Sequence, residues 1–260
     1  KITKHADQIC GPIVGALYTV HDGVLKLTAQ LAPLGRDESQ TAELQMKRGA
    51  TWRTVKTATI ESTGWVARFR VSKCDDRKEV PYRVRYRVKS RRNNRTIESF
   101  HYWEGTIAGN PIAKEEVILA SLSCVQQVNG PLGANPAFRW NYNVNFPHPD
   151  LTPNLKKQQA DIYFFAGDQI YEGNPTRMVQ SPVEEATLDY LYKWYLWCWS
   201  FADVVRHRPC VCIPDDHDVY HGNIWGDGGR AAAQGDPAGL QGGYGMPPAW
   251  LNMIQKTQTS

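Results

Sequence analysis

The sequence lacks any apolar run near the roughly 20 residues that a membrane-crossing helix needs. A helical transmembrane segment is therefore not expected. Cysteine is scarce, with six in 260 residues, no CxxC pair and no zinc-ligand spacing. A disulfide framework is not expected in so long and Cys-poor a chain. No GxxxxGK[ST] phosphate loop occurs, although a Gly-rich run extends from His221 to Pro248. A strong net charge is also missing: 30 Lys and Arg against 26 Asp and Glu leave +4. That mild excess does not by itself point to a nucleic-acid partner. The chain begins with Lys1 rather than Met, which reads as a processed chain or a fragment. What is present is ordinary for a soluble globular protein: 42% hydrophobic and 22% charged residues. The length suits one large domain or two ordinary ones.

Two patterns divide the chain. From about residue 13 to 107, short alternating segments follow one another: "VLKLTAQLA", "AELQMK", "TVKTATI", "WVARFRV", "YRVRYRV" and "FHYWEGTI". Turn signals such as "KRGA" and "ESTG" separate them. Alternation at period two with no helical stretch predicts an antiparallel β-sandwich, immunoglobulin- or fibronectin-like, over residues 1–110. Arg83, Arg85 and Arg87 fall on one face of a strand, with Tyr82, Val84, Tyr86 and Val88 on the other. They read as the wet face of a half-buried strand rather than a phosphate-binding stripe.

"AGNPIAKEE", Ala108 to Glu116, reads as a linker, and the pattern after it is α/β. "EVILASLSCV" and "QADIYFFAGDQIYEG" each carry an apolar strand, as a sheet covered on both faces requires. Residues 183–205 open with Glu184 and Glu185, which suit a helix N-terminus, and continue as one long helix. Its aromatics (Tyr190, Tyr192, Trp194, Tyr195, Trp197, Trp199 and Phe201) read as packing rather than a ligand box. "RPCVCIPDDHD" supplies a third strand. This predicts a helix-flanked, mainly parallel α/β domain over residues 111–260, incomplete at its C-terminal end.

Each of the three strands ends in residues with chemistry. The first ends at Cys124, the second at Asp168 and Tyr171, the third at Asp215, Asp216, His217 and Asp218. Adjacent carboxylates repel, and burying them is costly unless a cation compensates. In a parallel sheet these ends converge on one edge. Carboxylate, phenolate, thiolate and imidazole together point to a metal site.

In that order, "SC…GDQIY…DDHD" resembles the calcineurin-like metallophosphoesterases, and within them the PhoD-like (alkaline phosphatase D) group. The resemblance implies a β-sandwich followed by a four-layer αββα metallophosphatase domain. It implies a metal-dependent phosphodiesterase or alkaline phosphatase using Fe3+ and Ca2+, secreted or in the periplasm or cell envelope. The substrate would be a small or polymeric phosphoester; a monomer is expected, with no nucleic-acid partner. By the resemblance, Cys124, Asp168 and Tyr171 bind the iron, with Asp168 bridging to calcium, and Asp216 holds the calcium. His217 contacts the phosphate or protonates the leaving oxygen, and Asp218 orients His217. Asp215, Asn223 and Trp225 are candidate substrate or loop residues. No later "GH.H"-type segment follows the Gly-rich run, so further ligands are expected downstream of this chain. The alternative is a catalytically incompetent fragment, or a binding or structural protein built on a sandwich with a degenerate phosphatase remnant.

Overall fold

A computed structural model describes residues 11–92, 95–129, 143–220, 230–236 and 242–260. Alternation builds its first half as expected. Seven antiparallel strands follow in order: β1 (Ile13–His21), β2 (Val24–Leu31), β3 (Thr41–Arg48), β4 (Thr51–Glu61), β5 (Val66–Ser72), β6 (Val80–Arg92) and β7 (Arg95–Ile107). Leu25, Leu27, Ala29 and Leu31 of β2 all point into the core, as do Tyr82, Val84 and Tyr86 of β6. Asp22 and Gly23 join β1 to β2 with φ of 48° and 68°, the left-handed pair that a two-residue hairpin requires. The outward arginines spend their charge locally. Arg85 pairs with Glu43 at 2.7 Å, and Arg83 donates to Gln45 at 2.7 Å. The Arg83 guanidinium also lies 4.5 Å from the Trp52 ring and 4.3 Å from that of Tyr102.

The sandwich expectation is overturned. The strands form one continuous sheet in the order β1-β2-β5-β4-β3-β6-β7, curled into a half-barrel, instead of two sheets face to face. The reason lies in β4. Its length carries it along β3 from Thr51 to Thr59, and its last residues, Ile60 and Glu61, pair with β5. A bulge at Leu44/Gln45 in the β3–β4 ladder adds bend. The edge strands β1 and β7 meet through a side chain: the Tyr18 hydroxyl donates to the Thr106 carbonyl at 3.0 Å and accepts from the Ala108 amide at 2.9 Å.

The second half holds three parallel strands, β8 (Leu119–Leu122), β9 (Ile162–Ala166) and β10 (Cys210–Ile213), in the order β10-β9-β8. Among the described residues three α-helices accompany them: α1 (Leu151–Lys157), α2 (Val183–Val205) and α3 (Pro248–Gln258). The four-layer αββα expectation is overturned as well. Among the described residues there is one small parallel sheet where that fold needs two stacked sheets, and most of the structure is antiparallel. The strand "EVILASLSCV" also misled: β8 is an edge strand with Leu119 56% exposed, so it is not covered on both faces.

The parallel sheet and α2 pack against the half-barrel itself. β1 is buried on both faces. Ile13, Ala16 and Tyr18 enter the half-barrel core, while Val14 and Leu17 enter the core around α2. In that second core the Trp194 and Trp197 rings stack at 4.6 Å and Phe165 meets Trp197 edge-on at 4.8 Å. Tyr190, Trp194, Trp197 and Phe201 are therefore packing residues; Tyr192 and Trp199 face outward. No helix among the described residues is long and apolar enough to cross a membrane.

Candidate metal centre

The three strand ends do converge. The Cys124 amide donates to the Gly167 carbonyl at 3.2 Å and the Val125 amide to the Asp168 carbonyl at 3.1 Å, which ties the end of β8 to the turn after β9. Gly167 has φ of 93°, and a Cβ there would stand 2.4 Å from the Asp215 Cβ, so only glycine lets the β9 and β10 turns touch. Cys124 and Asp168 both hold left-handed backbones, with φ of 56° and 55°. Non-glycine residues there cost of order 1–3 kcal/mol each and persist where the surroundings enforce them.

Asp168 is the centre of the cluster. Its Oδ2 lies 3.5 Å from the Cys124 Sγ and accepts from the Tyr171 hydroxyl at 3.2 Å. One ligand atom each from Asp168, Asp216 and His217 lie within 4.8 Å of one another. The Tyr171 ring packs on the His217 ring at 4.4 Å. So Cys124, Asp168, Tyr171, Asp216 and His217 form one site. Asp216 also caps the short 3-10 turn His217–Val219, accepting from the His217 amide at 2.9 Å.

Electrostatics follow from this crowding. Burial, then the neighbouring Asp216, push the Asp168 carboxyl above the usual range, against the pull of His217. Burial raises the Tyr171 phenol, helped by Cys124 and Asp168. The hydrogen bond to Glu172 lifts the His217 imidazole to about 9, against burial. That bond joins His217 Nδ1 to Glu172 Oε2 at 2.6 Å.

Asp218 does something other than orient His217. It is fully buried, and its carboxylate accepts from the amides of Asp168 at 2.8 Å, Asp215 at 2.9 Å and Ile170 at 3.2 Å, and from the Gln258 amide group at 2.8 Å. It clamps the two acidic turns to each other and to α3. Burial pushes its carboxyl up to about 7, opposed by those donors. Asp215 is exposed and contributes its amide to this clamp. Asn223 and Trp225 lie outside the described residues.

Two participants escaped the sequence reading. Glu172 directly follows Tyr171 in "GDQIYEG", an acid on the same turn as two candidate ligands, and that adjacency was the available signal. Gln258 sits 40 residues beyond Asp218 on another helix, and nothing in its sequence context marks it.

The donor set fits a cation. The Asp168 Oδ1 is buried with no hydrogen-bond partner, while Asp168 as a whole is 7% exposed. A buried carboxylate oxygen left without a donor carries a penalty that a metal ion removes. Thiolate, phenolate and carboxylate are ligands for iron, and paired carboxylates suit calcium. No family model matches this chain, and no curated protein matches it.

Proposed function

We propose that this protein is a metal-dependent phosphoester hydrolase. The observation that carries the reading is the buried, partnerless Asp168 Oδ1 at the meeting point of three strand ends that also deliver Cys124, Tyr171, Asp216 and His217. The order of the motifs, which resembles the PhoD-like group, supports the same chemistry. Cys124, Asp168 and Tyr171 would hold Fe3+, and Asp168 with Asp216 would hold Ca2+. Such ions, when bound, neutralise phosphate oxygens and activate a nucleophile.

The chain's own contribution is proton management and placement. Glu172 holds His217 as an imidazolium at neutral pH, so His217 can donate a proton to the leaving alkoxide oxygen. The Tyr171 ring packs on the imidazole and limits its rotation. Asp218 keeps the two turns in register from below.

The test compares the wild type with Asp168→Asn for iron and calcium content after dialysis and for hydrolysis of bis(p-nitrophenyl) phosphate. The variant is expected to lose metal and to fall roughly a hundredfold or more in rate. Equal rates in the two proteins would sink the assignment. Metal retention without hydrolysis in the wild type would instead assign the non-catalytic binding reading. A visible charge-transfer band that disappears in Tyr171→Phe would identify the phenolate as an iron ligand.

A further inference from the structure

The opposite edge of the parallel sheet carries a second concentration of charge. Lys114 precedes β8, Asp161 precedes β9, and Arg206 and Arg208 lie between α2 and β10. The metal-centre residues follow those same strands. The five residues of β9 alone set the two edges roughly 17 Å apart. With Lys156 of α1, these groups line a depression of about 660 Å3.

The depression has an excess of positive charge. Lys114, Lys156, Arg206 and Arg208 are four cations; Asp161 and Asp203 line it with them and Glu79 reaches Arg208 from its rim, so three carboxylates face four cations and one positive charge is left over. Asp161 is engaged by Lys114 at 2.5 Å and by the Ile118 amide at 3.0 Å. Asp203 is shared between Lys156 at 3.4 Å and Arg206 at 3.2 Å. Arg208 reaches out to Glu79, which is 62% exposed, at 3.3 Å. The Lys156–Asp203 and Arg208–Glu79 pairs are exposed on both sides; such pairs contribute little, about 0–1 kcal/mol, so an oxyanion can take over these two cations at small cost.

Two more observations point to a ligand rather than a solvated surface. His207 opens onto the same depression, and its imidazole is pushed down by burial and by Arg206, with Asp203 opposing and Arg208 and Lys156 adding to the push. Burial is the largest cause, and the three cations around the ring add to it. The wall is partly apolar, from Ala160, Tyr163 and Val204, which suits an organic group beside the anion. A second depression of about 320 Å3 shares Lys114, Asp161 and Arg208 and adds Arg77 and Glu79, so the charged lining continues along the seam with the half-barrel.

We propose that this groove binds organic or polymer-borne phosphate, at a site separate from the metal centre. The guanidinium of Arg208 and the ammonium of Lys156 would contact the phosphate oxygens. The proposal stands whether or not the metal centre is catalytic.

Phenyl phosphate and a short inorganic polyphosphate are the probes, titrated by calorimetry. The wild type, Asp168→Asn and Lys156→Gln/Arg208→Gln are compared. Asp203 keeps Arg206 and Glu79 is exposed, so the double variant leaves no buried charge alone; a thermal melt checks that it folds. Binding is expected to persist in Asp168→Asn and to weaken at least about tenfold in the double variant. If that loss is seen with phenyl phosphate, the ligand is a small organic phosphate. If it is seen with polyphosphate alone, the ligand is phosphate borne on a polymer. No binding of either probe, or equal binding in the double variant, overturns the proposal. Binding that vanishes in Asp168→Asn places the phosphate at the metal centre and overturns it too.

Discussion

Glu172 governs the charge of His217, and that makes the pair testable at the level of single residues. Because the folded pKa of His217 lies near 9 and the unfolded value near 6.5, the pair's stabilisation is complete below about 6.5 and is lost as pH rises through about 9. Glu172→Gln should return the His217 titration toward 6.5, read by NMR of its ring protons, and should remove the alkaline loss. A His217 midpoint still near 9 in that variant would contradict the assignment. Asp218 offers the complementary test. Its carboxylate accepts four N–H bonds from inside the core, and an amide in its place turns donors toward donors. Each unsatisfied donor costs about 1–3 kcal/mol. Asp218→Asn should lower the urea unfolding free energy by about 3 kcal/mol or more; an unchanged value would mean the clamp does not bear on stability.

At the scale of elements, the turns after the parallel strands matter more than the strands. Gly167→Ala would place a methyl 2.4 Å from the Asp215 Cβ on a backbone with φ of 93°. We expect it to separate the two acidic turns and to lower Tm, with Cys124 and Asp168 no longer adjacent. A melting curve and the metal content, measured together, check this; native values of both would refute it. Helix α2 carries a different constraint on its buried face. Lys193 is 2% exposed and donates to Asp189 at 2.5 Å, and the Tyr220 hydroxyl donates to the same carboxylate at 2.7 Å. Lys193→Met leaves Asp189 buried without its cation and should cost about 3–5 kcal/mol in denaturant unfolding. Lys193→Met/Asp189→Leu should recover part of that loss, because it removes the stranded charge.

At the scale of the whole molecule, β1 decides how the parts cooperate. Val14 and Leu17 belong to the α2 core while Ile13 and Tyr18 belong to the half-barrel core. Further bonds cross the same seam: the Tyr195 hydroxyl donates to the Leu31 carbonyl at 2.8 Å, and Lys256 pairs with Glu61 at 2.6 Å. Neither half can release the other without exposing apolar surface. We expect one unfolding transition in urea, with far-UV circular dichroism and tryptophan fluorescence coinciding. Two separated transitions would mean the halves fold independently. Residues 11–110 expressed alone should be markedly less stable than the same strands in the full chain, because Val14 and Leu17 would face water.

The sequence by itself determined most of the local structure and which residues to consider together as a candidate site. Period-two alternation placed β2 through β7, and acidic residues opening a long apolar stretch placed α2 at residues 183–205. Clustered carboxylates at apolar strand ends marked Asp168, Asp216 and His217 as candidates because adjacent buried acids are costly without compensation, and that cost can be read without coordinates. Alternation says which face of a strand is buried but not what covers it. A sandwich, a half-barrel and a sheet packed under a helix all bury one face. Only the tertiary structure decided that β4 links two sets of strands into one curled sheet and that β1 serves two cores. The roles of Glu172, Asp218 and Gln258 were likewise decided by distance across the fold. A carboxylate in a string of acids looks the same whether it faces a cation or three backbone amides, and the difference arises only when the chain has brought those amides to it.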